Sequence, residues 1–211
     1  MKAFIYVGGD IFPDNITEKP KAGDLRIAAD GGYKNAQKLG AHIDILLGDF
    51  DSLGEPNVPD ETEIIKVPSE KDFTDTQLAV EKALAKGADE VVIIGGLSGR
   101  LDHTLSNLSI LEELSALRVH ALITDGQNRV RFISSTSTLI AKSGYKYLSL
   151  ITVTERSKGV SVEGCKYPLK NATLKRSSQS LSVSNEIDGN CALISVRKGA
   201  IYVIESRDKL L

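Results

Sequence analysis

Asp49 and Asp51 stand one residue apart in the run Ile-Leu-Leu-Gly-Asp-Phe-Asp-Ser (Ile45 to Ser52), where an apolar stretch gives way to a glycine turn. Side chains alternate faces on an extended backbone, so both carboxylates point the same way there. Gly48 lets a ligand approach the main chain closely. Such a pair suits a hard cation held by oxygen ligands, and Mg²⁺ fits best. A lone Asp-x-Asp is more often a solvated turn. Here, however, further acids and glycines end other apolar runs: Gly8-Gly9-Asp10, Asp30-Gly31-Gly32, Gly95-Gly96-Leu97-Ser98-Gly99-Arg100 and Asp125-Gly126. Each alone is ordinary turn chemistry. Together, on one edge of a parallel sheet, they point to a ligand site, because ligands of such sheets bind outside the carboxyl ends of the strands.

Ser69-Glu70-Lys71-Asp72-Phe73-Thr74-Asp75 leads into a helical pattern. If the turn begins here, Asp72 and Asp75 share a face. Acids at a helix start are also stabilised by the dipole, and Asp72 has a capping role open to it. Asp75 follows the cap and is the better metal ligand. Converging carboxylates repel unless a cation is present, and a polyphosphate would complete the shell of a divalent ion. The glycine turns offer N–H groups to phosphate oxygens, with Arg100 and Lys71 to neutralise charge. Asp102 and His103 could cap the helix that follows, yet Arg100 and His103 at its start also suit a triphosphate. Neither the P-loop pattern nor Gly-x-Gly-x-x-Gly after a strand is present.

The elements that must position these residues alternate. Strands are expected over Ala3–Val7, Arg26–Ala29, Ile43–Leu47, Glu63–Val67, Glu90–Ile94, Val119–Thr124 and Arg129–Ile133. Helices are expected over Tyr33–Leu39, Asp75–Lys86 and Thr104–Leu117, the last with Leu105, Leu108, Leu111 and Leu114 as its buried stripe. Thr74-x-x-Gln77 predicts a capping box and Gly87 a helix stop. Short runs rich in Val, Ile, Ser and Thr follow Ser134: Tyr147–Val153, Val160–Glu163, Ala172–Leu174, Leu181–Ser184, Cys191–Val196 and Ala200–Glu205. The expected fold class is α/β: a parallel-sheet, Rossmann-like domain over residues 1–133, then a small all-β sandwich over 134–211.

A chain of 211 residues can bury a substantial core, and 26 Lys plus Arg against 28 Asp plus Glu leave no basic stripe for nucleic acid. The N-terminal apolar run ends at Gly8, too short for a signal peptide or a membrane span. Cys165 and Cys191 lack metal-ligand spacing; a disulfide between them is open to the chain, and buried free thiols in a reducing cytoplasm are the expectation. His42, His103 and His120 are scattered, which argues against zinc.

Asp30-Gly31-Gly32, Gly48-Asp49-Phe50-Asp51-Ser52, Lys71-Asp72-x-Thr74-Asp75 and Gly95-Gly96-x-x-Gly99-Arg100-x-Asp102-His103-Thr104-x-x-Asn107 occur in this order. They resemble the thiamine pyrophosphokinase family, bacterial type. Gly164-x-Lys166-Tyr167-x-Leu169 and Ser184-Asn185-Glu186 resemble motifs of that family's β domain, so the likeness covers nearly the whole chain. The resemblance implies a homodimer with active sites at the subunit interface, in which thiamine's hydroxyl attacks the β-phosphorus of MgATP. It implies Asp49, Asp51 and Asp75 as Mg²⁺ ligands, with Asp30 and Asp72 as supporting acids. It places Gly31, Lys71, Gly96, Arg100, Asp102 and His103 around ATP, and Ser184, Asn185 and Tyr167 around thiamine. Ser98 departs from the glycine common before the family's Gly-Arg pair, and Lys71 stands where eukaryotic members carry Gln, which favours a phosphate role there.

The reaction needs positioning and charge stabilisation more than covalent help, with Asp72 or Asp51 as proton acceptor. Two other readings are a Mg²⁺-dependent phosphatase and a non-catalytic nucleotide- or thiamine-binding regulator. In the phosphatases with an Asp-x-Asp nucleophile the acid follows the first strand, whereas Asp49 follows about the third.

Overall fold

The computed structural model describes residues 1–50, 58–68 and 73–208. The chain divides into two compact units, Met1–Gly126 and Gln127–Leu211. The strand Asn128–Ser134, expected from sequence to close the first unit, pairs along its length with Ala200–Ser206 in the second.

The first unit carries strands β1 (Lys2–Tyr6), β2 (Leu25–Ala29), β3 (Ile45–Gly48), β4 (Glu63–Lys66), β5 (Glu90–Ile94) and β6 (His120–Thr124). Its helices are α1 (Gly32–Lys38), α2 (Asp75–Ala85) and α3 (Leu101–Ala116). The strands pair in the order β4-β3-β2-β1-β5-β6, every pair parallel. All their carboxyl ends therefore lie on one edge. Ala3, Phe4, Ile5 and Tyr6 are all buried in succession, as are Val91 to Ile94, so both faces of the central strands are covered. Gly32 opens α1 so close to β1 that a Cβ there would collide with the Tyr6 carbonyl. At the edge, exposed β4 is guarded by charge: Glu63 accepts from Lys82 at 2.9 Å and Lys86 at 3.3 Å.

The capping box forms as expected: Thr74 Oγ1 accepts from Gln77 N, and Gln77 Oε1 accepts from Thr74 N. The leucine stripe forms only in part, at Leu111 and Leu114. Asn107, Ile110, Leu111 and Leu114 form the buried face of α3, while Leu105 is 58% exposed. Steps of three residues slip back about 60° each on a 3.6-residue helix, so Leu105 lies about half a turn from Leu114.

The second unit adds β7 (Asn128–Ser134), β8 (Ser137–Ala141), β9 (Tyr147–Thr152), β10 (Arg156–Glu163), β11 (Leu169–Lys175), β12 (Cys191–Ser195) and β13 (Ala200–Ser206). They form two antiparallel layers, β7-β13-β9 and β11-β10-β12-β8. Ile133, Leu148, Leu150, Ile201 and Val203 from one layer share a core with Ile140, Val160, Val162, Ala192 and Ile194 from the other.

Leu181–Ser184, expected as a strand, is instead a short 3-10 turn at Ser180–Ser182 followed by Ser184 with φ of 58°. Side chains there replace a ladder along β9. Gln179 accepts from Thr152 N at 3.2 Å and donates to Thr152 O at 3.1 Å, and Ser182 Oγ donates to Leu150 O at 2.7 Å. The cysteines are both free thiols, but only Cys165 is buried. Cys191 faces outward because β12 alternates exposed and buried positions from its first residue.

Candidate functional site

The chain leaves β1 through β2, β3 and β4 on one side, then returns to β5 on the other. In open parallel sheets ligands bind at the carboxyl edge where the strand order reverses, here at β1 and β5. A cleft of ≈ 320 Å³ lies there, lined among others by Gly8, Gly9, Gly96, Ser98, Arg100 and His103. Thr74 and Thr76 also line it, so the start of α2, with half-buried Asp75 between them, borders the same cleft.

The two glycine loops are stitched together. Gly96 N donates to Gly8 O at 2.9 Å, and Asp10 N donates to Ser98 Oγ at 2.6 Å. Buried Asn107 donates to Gly96 O at 3.0 Å, and a Cβ on Gly96 would lie 2.6 Å from that amide nitrogen, at a φ of 74° that L side chains avoid. On the opposite side Asn35, 2% exposed in α1, donates to Val7 O and Gly9 O, both at 2.8 Å. Ser98 thus has a defined task that glycine could not perform.

The ends of β2 and β3 touch. Asp30 N donates to Leu47 O at 2.8 Å, and Gly48 passes so near that its Cβ would lie 3.1 Å from Asp30 Cα. Asp30, Gly31 and Asp49 are half-buried on this edge. Phe50 corrects the alternation expected between Asp49 and Asp51. It adopts φ of 60° and is buried in the core with Leu46 and Ile43, so the backbone is not extended there. A bulky residue in the left-handed region is strained, a feature that clusters at ligand sites. Asp51, Lys71 and Asp72 lie outside the described residues. The helical turn expected to put Asp72 and Asp75 on one face begins only at Asp75, after an extended Thr74.

Arg100, not Asp102 or His103, is the N-cap of α3, and no side chain caps it. Asp102 instead chelates Arg100, with Nε to Oδ1 at 3.2 Å and Nη2 to Oδ2 at 2.6 Å, and accepts from His103 N at 2.9 Å. The Arg100 hydrogen bond holds the Asp102 carboxyl below its ordinary range, and Asp102 raises Arg100 in turn. Both are exposed, so this pair is readily exchanged for an anion at the guanidinium.

In the second unit Asn185 embraces Tyr167. Its Oδ1 accepts from Tyr167 N at 3.0 Å and its Nδ2 donates to Tyr167 O at 2.7 Å, while Oδ1 also accepts from Glu186 N at 2.9 Å. The Tyr167 ring stays 59% exposed, with Lys166 Nζ 5.7 Å from its centroid. Ser184 N donates to Ser149 Oγ at 3.0 Å. The three residues expected around thiamine are therefore near neighbours, with Asn185 bracing rather than protruding. Sequence reading missed Asn35, since one asparagine in a short polar helix carries no signal of its partners.

A family model described as the catalytic domain of thiamin pyrophosphokinase matches residues 18–123, and one described as its vitamin B1 binding domain matches residues 136–201. The thiamine pyrophosphokinase of Bacillus subtilis (strain 168) is 31% identical over 97% of this chain and 98% of its own. Among solved structures, a thiamine pyrophosphokinase from Bacillus subtilis superposes with a TM-score of 0.87 at 28% identity, covering 99% of this chain and 100% of that one. A thiamin pyrophosphokinase family protein from Enterococcus faecalis does so at 0.86 and 30%, with the same coverage. With both of its units matched in order, the chain belongs to the thiamin pyrophosphokinase family.

Proposed function

We propose that this protein transfers the diphosphoryl group of MgATP to the hydroxyl of thiamine, giving thiamine diphosphate and AMP. The observation that carries the reading is the cleft at the β1/β5 reversal, walled by glycine loops and by Arg100 and His103, in a chain matched to the family over both units. The hydroxyl oxygen bonds to the β-phosphorus, the bond from that phosphorus to the oxygen bridging the α-phosphate breaks, and AMP departs with that electron pair. A carboxylate, Asp51 or Asp72, takes the hydroxyl proton. Gly31, Gly96, Lys71, Arg100 and His103 hold the triphosphate, and Arg100 exchanges Asp102 for phosphate oxygens as charge develops.

Carboxylate oxygens suit a hard divalent cation. Asp49 and Asp75, half-buried at the end of β3 and the start of α2, fit that demand, with Asp30 in support. Among the described residues no three metal-ligating side chains cluster; the proposed ligand set also takes in Asp51, as the family likeness implies. Mg²⁺ bound there supplies charge neutralisation for the polyphosphate. Tyr167, held by Asn185, offers an aromatic face to the cationic thiamine ring, with Ser184 and Glu186 supplying polar contacts. The protein acts in the cytoplasm as a homodimer whose sites combine both subunits, as the family likeness implies. Among the described residues no helix is long and apolar enough to cross a membrane.

Chromatography of a reaction with ATP, Mg²⁺ and thiamine tests the reading. AMP and thiamine diphosphate should appear in equal amounts. Inorganic phosphate alone would favour a phosphatase, and nucleotide binding with no AMP release a regulator.

A further inference from the structure

Asn35 belongs to no motif and does not line the cleft, yet its side chain controls the loop that does. Both of its amide hydrogens are used, on Val7 O and Gly9 O at 2.8 Å each, and Lys38 Nζ lies 3.4 Å from its Oδ1. In a trans peptide the N–H points opposite to the C=O, and the described residues include no cis peptide. The Gly9 carbonyl points at Asn35, and the N–H across that same peptide, of Asp10, reaches Ser98 Oγ at 2.6 Å on the cleft wall. The cleft therefore lies on the side of the loop away from Asn35. By the same geometry the Gly8 N–H, across the peptide from the Val7 carbonyl, points towards the cleft as well. The Gly8 carbonyl is held by Gly96 N at 2.9 Å. Every carbonyl from Val7 to Gly9 thus already accepts a hydrogen bond within the protein, from Asn35 or from Gly96 N, where a free one would present negative oxygen to an anion.

We infer that Asn35 is a positioning residue for the triphosphate. From beneath the β1 loop it holds two carbonyls, so that the Gly8 N–H faces the phosphate oxygens while the Asp10 N–H ties down Ser98 on the cleft wall. The inference deepens the functional reading above and rests on that reading for the identity of the anion. A buried asparagine serving packing alone would not distinguish one substrate from the other. A positioning residue of the phosphate loop must do so.

The test uses the full chain with Mg²⁺ and α,β-methylene-ATP, in which the bond to be broken cannot cleave. Asn35→Ala and the milder Asn35→Ser, which keeps one donor, are compared with the unsubstituted protein by calorimetric titration. Asn35→Ala should weaken analogue binding about tenfold or more and Asn35→Ser less, as loss of two and of one buried hydrogen bond implies. The KM for ATP should rise in step while that for thiamine stays within about twofold. If Asn35→Ala does not fold, Asn35→Ser carries the test. Unaltered analogue affinity in a variant with native circular dichroism overturns the inference alone. Analogue binding by the unsubstituted protein without thiamine turnover overturns the functional reading alone, and failure of that protein to bind the analogue overturns both.

Discussion

Asp75 is the acid whose setting separates a structural from a chemical duty. Thr74 already satisfies the first turn of α2 through the capping box, so Asp75 is not needed as a cap. Asp75→Asn should lower turnover at least about tenfold and shift the Mg²⁺ requirement upward. Steady-state rates across a Mg²⁺ titration check this, and an unchanged rate and Mg²⁺ dependence would remove the assigned role. Tyr6 permits a prediction about stability. Burial pushes its phenol from an ordinary 10.0 up to about 12, against a smaller lowering by Arg26. The folded chain keeps this proton while the unfolded chain loses it, so stability present below pH 10 is lost between pH 10 and 12. The loss amounts to about 2–3 kcal/mol. Urea unfolding of the protein and of Tyr6→Phe across that range should differ by this alkaline fall, present only with the tyrosine. At this scale Asp30, Gly48, Asp49 and Gly96 could be singled out because their chemistry coincides with strand ends, and Arg100 because it opens the helix after β5. Asn35 and the duty of Ser98 could not be, because each acts on a backbone atom distant in sequence.

Among the elements, β5 runs from Glu90 to Ile94 as its composition predicts. Four consecutive β-branched residues closed by Gly95-Gly96 suit a strand covered on both faces. The 179–184 segment escaped because its residues are β-like while its bonds to β9 involve the side chains of Gln179, Ser182 and Ser149, a backbone bridge to Leu148 forming only at Asn185, and β8 because Ser, Thr and Leu on a half-exposed strand resemble a loop. The second unit also hides a charge cluster no sequence pattern announces. Glu205, 2% exposed, accepts from Arg129 Nε at 2.8 Å and Nη2 at 2.6 Å and also from Arg131. The guanidinium groups of Arg129 and Arg207 both lie over the Tyr145 ring, at 4.7 and 4.6 Å from its centroid. Glu205→Ala leaves guanidinium groups buried without their carboxylate and should cost about 3–5 kcal/mol. A chemical denaturation midpoint that barely moves would show that the arginines relax to solvent instead.

At the scale of the whole molecule, two units of different grammar were legible from the change in periodicity near Ser134. The division itself falls at Gly126, because β7 finds its partner in β13, which only long-range pairing decides. If each active site takes its thiamine pocket from the other subunit, Asp49→Ala and Asn185→Ala chains are separately inactive yet complement each other. A verified heterodimer has one intact site and should recover roughly half the activity of the unsubstituted dimer. Recovery of none would confine each site to one chain. The most direct test of the central claim follows the two terminal phosphates of ATP separately. With ATP labelled at the β- or the γ-phosphorus, both labels should enter thiamine diphosphate in equal yield and leave unlabelled AMP. Transfer of the γ label alone, with ADP as the second product, would contradict attack at the β-phosphorus.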